Sequence, residues 1–435
     1  MTPEPSTAAV PVEGEAPEAL TVDGVDLVRW TDGEGCTHVA LDRCPHRRAP
    51  LSAGYVADGV LRCRYHGWGF GGDGRCVDVP ALGADARIPS RARLEMAELP
   101  GAANGSAEVP VDLPAPVLRS VPDLDPAGPG TGGSWLDGDT PGLERFWHQA
   151  CRRAELVPGA SIDIELLTTT WTVSLDADGT TYTARNAADG SAPWGVEAHL
   201  DHVWLAPQAP LAPLPDVPEW GQEGWHLRRL SRAEGRFGVG LLLDNQLDAG
   251  HFAFVHTTTF GTPDAAQLPP AEVVREGTVA TCTMRVPIAA RNLAVVEAED
   301  EALQQHRTMH YSFHAPLWLR LHLDYEENSG STILLFGFVP QGPGRARMDL
   351  DILFRRPAGF TEAELDERLE FEERVVAEDL HLQRLFGDLR LPLDPAAELH
   401  TKADRYSLTC RQLLRDLVAE AAGGASGSTA ESASA

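Results

Sequence analysis

Two pairs of cysteine and histidine stand in the N-terminal part of the chain. Cys44 and His46 form a C-x-H pair, and after sixteen residues Cys63 and His66 form a C-x-x-H pair. Thiolate sulfur and imidazole nitrogen are metal ligands, and two of each can hold a zinc ion or a [2Fe–2S] cluster. A cluster with two imidazoles on one iron has a raised reduction potential, which suits a centre that passes electrons onward.

The spacing of these pairs favours the iron–sulfur cluster over zinc. Zinc fingers usually place their two histidines three to five residues apart on a helix. Here each histidine follows its own cysteine, in a loop that comes after a strand-like run. The remaining cysteines show no ligand spacing and are interpreted as buried small hydrophobes. They are Cys36, Cys76, Cys151, Cys282 and Cys410.

A second set of candidate ligands is the D-x-x-H-x-x-x-x-H pattern of Asp248, His251 and His256. Two imidazoles and one carboxylate on one face of Fe(II) leave positions open for O₂ and substrate. Because His251 and His256 lie about 140° apart on an ideal helix, they can share an ion only if the helix loosens or ends there. Gly250 favours such an interruption. Taken alone, the pattern fits two surface histidines equally well.

The elements around these motifs predict an α+β chain with an antiparallel sheet. Short β-type runs surround the cysteine–histidine pairs, at 25–30, 37–41, 60–65 and 75–80. Further runs are predicted at 162–175 and 201–206, and longer alternating ones at 309–325, 332–340 and 346–354. An acidic helix is expected from about Thr361 to Leu389, and an amphipathic helix from about Lys402 to Ala422.

The composition argues against some classes of function and indicates a compartment. The formal net charge is -28 and the sequence pI is about 4.8, so nucleic-acid binding is not expected. The first twenty residues contain no Lys or Arg and no apolar run, and no stretch is long enough to span a bilayer. Seven cysteines do not indicate a disulfide framework. We therefore expect a cytosolic protein.

The sequence segments around both motifs resemble those of a known family. CPHRRAPLS and CRYHGWGF resemble the ligand loops of Rieske proteins, and the following D-x-x-H-x-x-x-x-H is similar to the iron motif of Rieske non-haem iron oxygenases, the aromatic-ring-hydroxylating family. The resemblance implies that Cys44 and Cys63 hold one iron of the cluster, while His46 and His66 hold the other. Arg64 stands where the family usually has proline, and this leaves every ligand in place.

The same resemblance implies roles for the second set. His251 and His256 would bind a mononuclear Fe(II), and Asp248 would bridge His251 to His66 of a neighbouring protomer. The third ligand is expected on a downstream helix, where VAEDLHLQ is similar to the E-D…Q helix of the family. We predict Asp379 as this ligand. The alternatives on the same helix are Glu378, Glu372 and Glu373, whereas His381 is given no metal role.

The chain is divided as follows. Residues 1–19 are predicted to be a disordered lead-in, 20–100 a small all-β Rieske domain, 101–142 a linker, 221–420 a helix-grip-like catalytic domain, and 421–435 a disordered tail. Residues 143–220 resemble the opening and the end of a family Rieske domain but lack its ligands. Either 20–100 is an inserted or duplicated unit, or 143–220 is a degenerate copy.

The resemblance implies O₂ activation supported by an electron-transfer partner. A ferredoxin or flavin reductase, fed by NAD(P)H, would reduce the [2Fe–2S] cluster, and the Fe(II) site would hydroxylate, demethylate or desaturate an apolar small molecule. A homo-oligomer, most simply a trimer, is expected. The alternative function is a Rieske electron carrier fused to a non-catalytic small-molecule-binding domain.

Overall fold

The computed structural model of the chain describes residues 14–98, 117–118, 135–289, 304–325 and 330–427. Residues 1–13 of the predicted lead-in, most of the predicted linker and residues 428–435 of the predicted tail lie outside these ranges. No helix within the described ranges is long and apolar enough to cross a membrane. The domain boundaries proposed from the sequence stay predictions.

Residues 14–98 form the N-terminal unit, which is built from short antiparallel strands. Its first sheet is a meander of β1 (Glu18–Val22), β2 (Val25–Thr31) and β3 (Thr37–Leu41). Its second sheet contains β4 (Tyr55–Ala57), β5 (Val60–Arg62), β6 (Gly69–Phe70) and β7 (Cys76–Asp78). The final strand, β8 (Ala97–Glu98), pairs with β9 (Val117–Leu118). The two cysteine–histidine pairs lie in the loops after β3 and after β5, as predicted.

Residues 135–220 form the second β unit, which begins with β10 (Trp135–Leu136). A three-stranded meander follows the order β12 (Ser161–Leu166), β13 (Thr169–Leu175) and β14 (Tyr182–Asn186). A second small sheet joins β11 (His148–Arg152), β15 (Gly195–His199) and β16 (His202–Ala206), with β16 in the centre. These strands enclose a small apolar core of their own, completed by Val339 of the next domain.

The C-terminal part is an antiparallel sheet of eight strands that is covered by helices. Its strands are β17 (His226–Arg229), β18 (Ala233–Arg236), β19 (Glu272–Glu276), β20 (Val279–Ala289), β21 (Gln304–His314), β22 (Trp318–Tyr325), β23 (Gly330–Gly342) and β24 (Arg345–Arg355). They pair in the order 17-24-23-22-21-20-19, and β18 also pairs with β24. The last strand of the chain, β25 (Leu391–Pro392), pairs with β10.

Four helices complete this domain: α1 (Val239–Gln246), α2 (Phe252–Val255), α3 (Glu362–Gln383) and α4 (Arg405–Gly427). Helix α3 begins at a capping box in which Thr361 accepts from the Glu364 amide and Glu364 accepts from the Thr361 amide. Helix α1 packs on β23 and β24, and α4 packs on β19 and β20. The predicted α+β fold class, with an antiparallel catalytic sheet, is confirmed.

Two expectations about secondary structure need correction. Residues 421–427, predicted to belong to a disordered tail, continue helix α4 to Gly427. The single run predicted at 162–175 is two strands, because Leu167 and Thr168 turn the chain with φ of 51° and 64°. Both residues adopt the left-handed region without the glycine or asparagine that usually signals it.

Candidate metal centres

The two cysteine–histidine loops contain the same kind of backbone turn, closed by a hydrogen bond to the carbonyl of the cysteine. The Cys44 amide donates to the Ala49 carbonyl at 2.9 Å, and the Arg48 amide donates to the Cys44 carbonyl at 2.9 Å. The second loop repeats this return bond, from the Gly67 amide to the Cys63 carbonyl at 2.9 Å. Arg48 and Gly67 both have positive φ, 61° and 68°. The sequence therefore builds two matched loops that present their cysteines and histidines to each other.

The donor atoms of these loops fit a cluster with two imidazole ligands. Cys44, Cys63, His46 and His66 are all buried, and the two histidine rings lie 4.5 Å apart between centroids. Each imidazole uses Nε2 for a carboxylate: His46 contacts Asp404 at 2.8 Å, and His66 contacts Asp248 at 3.1 Å. Each Nδ1 is buried and has no hydrogen-bond partner among the described residues. Metal-ligating histidines are usually held in this way, with the second nitrogen on a carboxylate.

The second candidate centre lies where the helix carrying its motif is interrupted. Helix α1 ends at Gln246 and α2 begins at Phe252, so Asp248 lies in the break. His251 and His256 flank α2 at its N-terminal and C-terminal caps. The interruption expected from the five-residue spacing is thus present, and it turns both imidazoles toward α3.

Helix α3 brings Asp379 to these two histidines. His251 Nε2 and His256 Nε2 are 3.2 Å apart, and Asp379 Oδ1 lies 3.4 Å and 3.3 Å from them. All three side chains are buried. Their ligand atoms form a nearly equilateral triangle, the face that a two-histidine, one-carboxylate iron site requires. A search of the described ranges for buried or exposed His, Cys, Asp and Glu finds this one group of three.

Carboxylates also orient His256 in the second centre and raise its pKa. Glu378 accepts from His256 Nδ1 at 2.9 Å and from Thr259 Oγ1 at 2.7 Å, which fixes the plane of the His256 ring. Burial opposes protonation of His256, but Asp379 and Glu378 raise its pKa to about 9. Two carboxylates that together favour a positive charge at His256 suit a bound cation. Glu378 therefore lies behind the triangle, as an orienting partner rather than at its face.

The other residues weighed as third ligands stand apart from the triangle. Glu372 is buried two turns earlier on α3, and burial raises its pKa to about 7. Glu373 and His381 are exposed on the opposite side of the helix.

Asp248 joins the two centres within one chain. Its Oδ2 lies 3.1 Å from His66 Nε2, and the rings of His66 and His251 are 6.5 Å apart. Burial disfavours the carboxylate, yet His66 and Arg47 hold the pKa of Asp248 well below its usual range. The contacting histidine belongs to the same chain, and His251 Nδ1 has no hydrogen-bond partner in the ranges described. The predicted bridge from Asp248 to a neighbouring protomer stays a prediction.

Sequence reasoning missed a buried ionic network beside the cluster loops. Arg47 reaches Asp404 at 3.0 Å and Asp244 at 3.3 Å, and it donates to Ser407 Oγ at 2.7 Å. Arg411 forms a two-bond pair with Asp244 at 2.8 and 2.7 Å. In the sequence, only the two arginines after His46 indicated such a network. Their acidic partners lie about two hundred or more residues further along the chain.

Two stretches of the chain match known domain families. Residues 4–97 match the Rieske [2Fe-2S] domain, and residues 238–420 match the vanillate O-demethylase oxygenase C-terminal domain. Together with the two sets of ligands, these matches define an iron–sulfur protein with an oxygenase-type C-terminal domain.

Curated relatives are similar to the chain over shorter stretches. Protein TIC 55, chloroplastic, of Arabidopsis thaliana is 48% identical over 88 residues, 20% of this chain and 16% of that protein. The 3-chlorobenzoate-3,4-dioxygenase oxygenase subunit of Comamonas testosteroni is 34% identical over 116 residues, 25% of this chain and 27% of that protein. The dicamba O-demethylase oxygenase component of Stenotrophomonas maltophilia is 43% identical over 74 residues, 17% and 22% of the two chains.

The chain thus spans less than a third of the length of each of these relatives. The chain combines a Rieske [2Fe-2S] domain with an oxygenase C-terminal domain, and this pair of domains confirms the predicted resemblance to Rieske oxygenases. A Rieske domain implies a [2Fe–2S] cluster, and the oxygenase domain implies iron and O₂.

Proposed function

We propose that this protein is the oxygenase component of a Rieske system that acts on an apolar small molecule. When bound, the cluster supplies single electrons and the mononuclear iron activates O₂ for hydroxylation, demethylation or desaturation. Cys44, Cys63, His46 and His66 would hold the cluster. His251, His256 and Asp379 would hold the Fe(II) through their Nε2 and Oδ1 atoms.

The observation that carries this proposal is the triangle of His251, His256 and Asp379, with sides of 3.2 to 3.4 Å, close to a cluster ligand. A carrier fused to a binding module would have no need for such a triangle. In our proposal Glu378 keeps His256 in one orientation, and the low pKa of Asp379 keeps it ionised for a cation. Burial opposes that ionisation, but His256 and His251 outweigh it.

The wall beside the triangle favours an apolar substrate. The Phe252 ring lies 4.8 Å from that of His251, and the Phe260 ring lies 4.8 Å from that of His256, between centroids. Both rings also line a small, mainly apolar pocket with Leu268 and Val286. The Arg307 guanidinium carbon lies over the Phe260 ring, 4.4 Å from its centroid.

The electron donor, the compartment and the assembly follow from the same proposal. A ferredoxin or flavin reductase, supplied by NAD(P)H, would reduce the cluster. The cysteine usage supports a reducing compartment such as the cytosol. A homo-oligomer remains an expectation of the family resemblance.

Iron content tests the proposed function directly. The purified protein should contain about three iron atoms per chain and give a Rieske-type electron-resonance spectrum. His256→Ala should reduce the content to about two atoms and remove turnover while it leaves the cluster spectrum unchanged. His381→Ala is the matched control, because this exposed histidine lies on α3 close to Asp379 but outside the triangle. Two iron atoms in the wild-type protein would instead identify the electron carrier.

A further inference from the structure

We propose that Arg307 is the charged end of the substrate site and that the substrate is an otherwise apolar molecule with one carboxylate group. This inference rests on the proposed function, which places the substrate beside the candidate iron ligands. It begins with the position of Arg307 on strand β21. Along this strand Arg307, Met309, Tyr311 and Phe313 are buried, and the residues between them are half-buried. A cation therefore stands in the row of side chains that points into the core.

The guanidinium of Arg307 has fewer partners than its burial requires. The residue is 5% exposed, and its Nε has no hydrogen-bond partner among the described residues. Within the same ranges, no carboxylate oxygen lies within 4.0 Å of its nitrogens. The rings of Phe252 and Phe260 contact it instead, with centroids 5.4 and 4.4 Å from the guanidinium carbon. Such contacts offset only part of the cost of burying a charge, so an anionic group is missing from this position.

Glu372 of helix α3 does not supply the missing negative charge. Burial raises the pKa of Glu372 to about 7, although Arg307 opposes that rise. A carboxyl group in a close ion pair with an arginine has a lowered pKa instead. Glu372 therefore lies near the guanidinium without neutralising it, and its protonated form can donate a hydrogen bond to a bound acid group.

A second buried donor without an acceptor lies on the same row of β21. Tyr311 is 2% exposed, and its hydroxyl has no partner among the residues that the structure describes. Burial raises the pKa of Tyr311 well above its usual range, so the hydroxyl keeps its proton and can donate. Two buried donors without acceptors fit a ligand that brings oxygen atoms of its own.

Arg307 is one aromatic ring away from the candidate iron site. The Phe260 ring, which Arg307 contacts, is stacked on the His256 ring with 4.8 Å between centroids. On α3, Glu372 and Asp379 are seven residues apart, which is about 10 Å along the helix axis. The charged end and the iron face thus lie about one ligand length apart. This separation matches an aromatic acid of one or two rings, held by its carboxylate and oxidised at its apolar part.

The thermal stability of the ligand-free holoprotein tests whether Arg307 has a structural partner. Arg307→Met keeps most of the apolar stem and removes the charge, so the midpoint should stay unchanged or rise by about 2–4 °C. Arg320→Met is the matched control. Arg320 lies on the opposite face of the neighbouring strand β22 and pairs with Glu219, so its loss should lower the midpoint. An equal fall in both variants would make Arg307 a structural residue and overturn the inference.

Ligand binding measures the preference for a carboxylate without turnover. The probes are benzoate, naphthalene-2-carboxylate and biphenyl-4-carboxylate, each compared with its neutral carboxamide by calorimetry on anaerobic holoprotein. We expect at least one acid to bind about tenfold more tightly than its amide, because a guanidinium pairs with a carboxylate through two hydrogen bonds. Arg307→Met should abolish this difference, and Arg320→Met should leave it unchanged. Arg307→Lys should restore part of it, since the charge remains but the planar fork is lost.

Two results of the binding experiment would overturn the inference. One is a wild-type protein that binds no acid of the series more tightly than its amide. The other is a preference for the acid that survives in Arg307→Met. Neither result depends on catalysis, whereas an iron content of two atoms per chain would overturn the proposed function and leave a measured carboxylate preference standing.

Discussion

The N-terminal unit and the second β unit are built on the same three-stranded meander but make different use of it. After β3, residues 42–96 form both ligand loops and the small sheet β4–β7 before β8. After β14, only residues 187–194 precede β15. The second β unit still has its own buried core, with Trp171 and Val173 at its centre. The meander can therefore fold without a cluster, and the cluster loops are an addition that the scaffold does not need.

The two units are also attached to the catalytic sheet by different chemistry. The N-terminal unit inserts Arg47 among acids of the C-terminal domain, so its contact is ionic and lies beside the metal ligands. The second β unit receives Arg347 of β24, which donates to the Gln149 and Ala150 carbonyls at 2.9 Å each. One attachment thus lies beside the candidate metal ligands, and the other joins the second β unit to strand β24.

The largest expected effect on stability comes from loss of the ionic attachment, the contacts of Arg47 with Asp244 and Asp404. Arg47→Met should lower the free energy of unfolding by about 3–5 kcal/mol, because Asp244 and Asp404 lose a buried partner. Denaturant titration monitored by fluorescence measures this loss. Arg75→Met, an exposed arginine of the same unit, should change stability by less than about 0.5 kcal/mol. Equal effects of the two variants would remove the proposed difference between the attachments.

Loss of the contact between Arg347 and the second β unit should lower the free energy of unfolding by a smaller amount. Arg347→Met should cost about 2–3 kcal/mol, since two carbonyls and Asp349 each lose a charged hydrogen bond, although Asp349 keeps Arg232 at 2.8 Å. Turnover per folded molecule should not change, because this contact is remote from both candidate centres. Arg153→Met, half-exposed in the same unit, serves as the control. A loss of turnover in correctly folded Arg347→Met would show that the second β unit takes part in catalysis.

Asp248→Asn tests the contact between the centres without removing a ligand. We expect turnover to fall about 10- to 100-fold with both metals retained, because a neutral amide orients His66 less strongly than a carboxylate does. Reduction of the cluster by an external donor should remain fast in stopped-flow measurements. Asp163→Asn, an exposed carboxylate in the second β unit, is the matched control. Wild-type turnover in Asp248→Asn would exclude this residue from the path.

The smallest expected effect is the change of folding stability with pH. Burial raises the pKa of Glu372 to about 7, so its proton stabilises the folded state fully below its ordinary value of 4.5 and is lost as pH rises through about 7. Between about pH 6 and about pH 8, Glu372 should contribute a fall in stability of about 1 kcal/mol, and Glu372→Gln should reduce the slope by this amount. Burial opposes ionisation of Asp244, yet Arg411 and Arg47 lower its pKa. The ionic attachment should therefore add nothing in this range, and an unchanged slope in Glu372→Gln would exclude Glu372 as a source of the pH dependence.

Much of the site could be predicted because its chemistry is local in sequence. The cluster loops and the Asp248 motif each fit within about a dozen residues, and the interruption of the helix followed from the spacing of His251 and His256. The placement of Glu378 behind His256 depends on the angle of α3, which no local pattern records.

The docking could not be predicted, because it joins residues far apart in the chain. Arg47 and Asp404 are separated by 357 positions, and either could have been a solvated surface charge. The turn at Leu167 and Thr168 was missed for another reason. Packing of β12 on β23, with a hydrogen bond from the Leu167 amide to the Pro340 carbonyl at 2.8 Å, holds two ordinary residues in a conformation that their own preferences disfavour.

The covalent connection between Glu98 and Trp135 makes the contact of the two centres a unimolecular equilibrium. Groups that belong to one chain have an effective concentration relative to each other that does not depend on the protein concentration in solution. The loops can therefore stay engaged at affinities that would be too weak for separate proteins. Dilution alone should not separate Arg47 from Asp404.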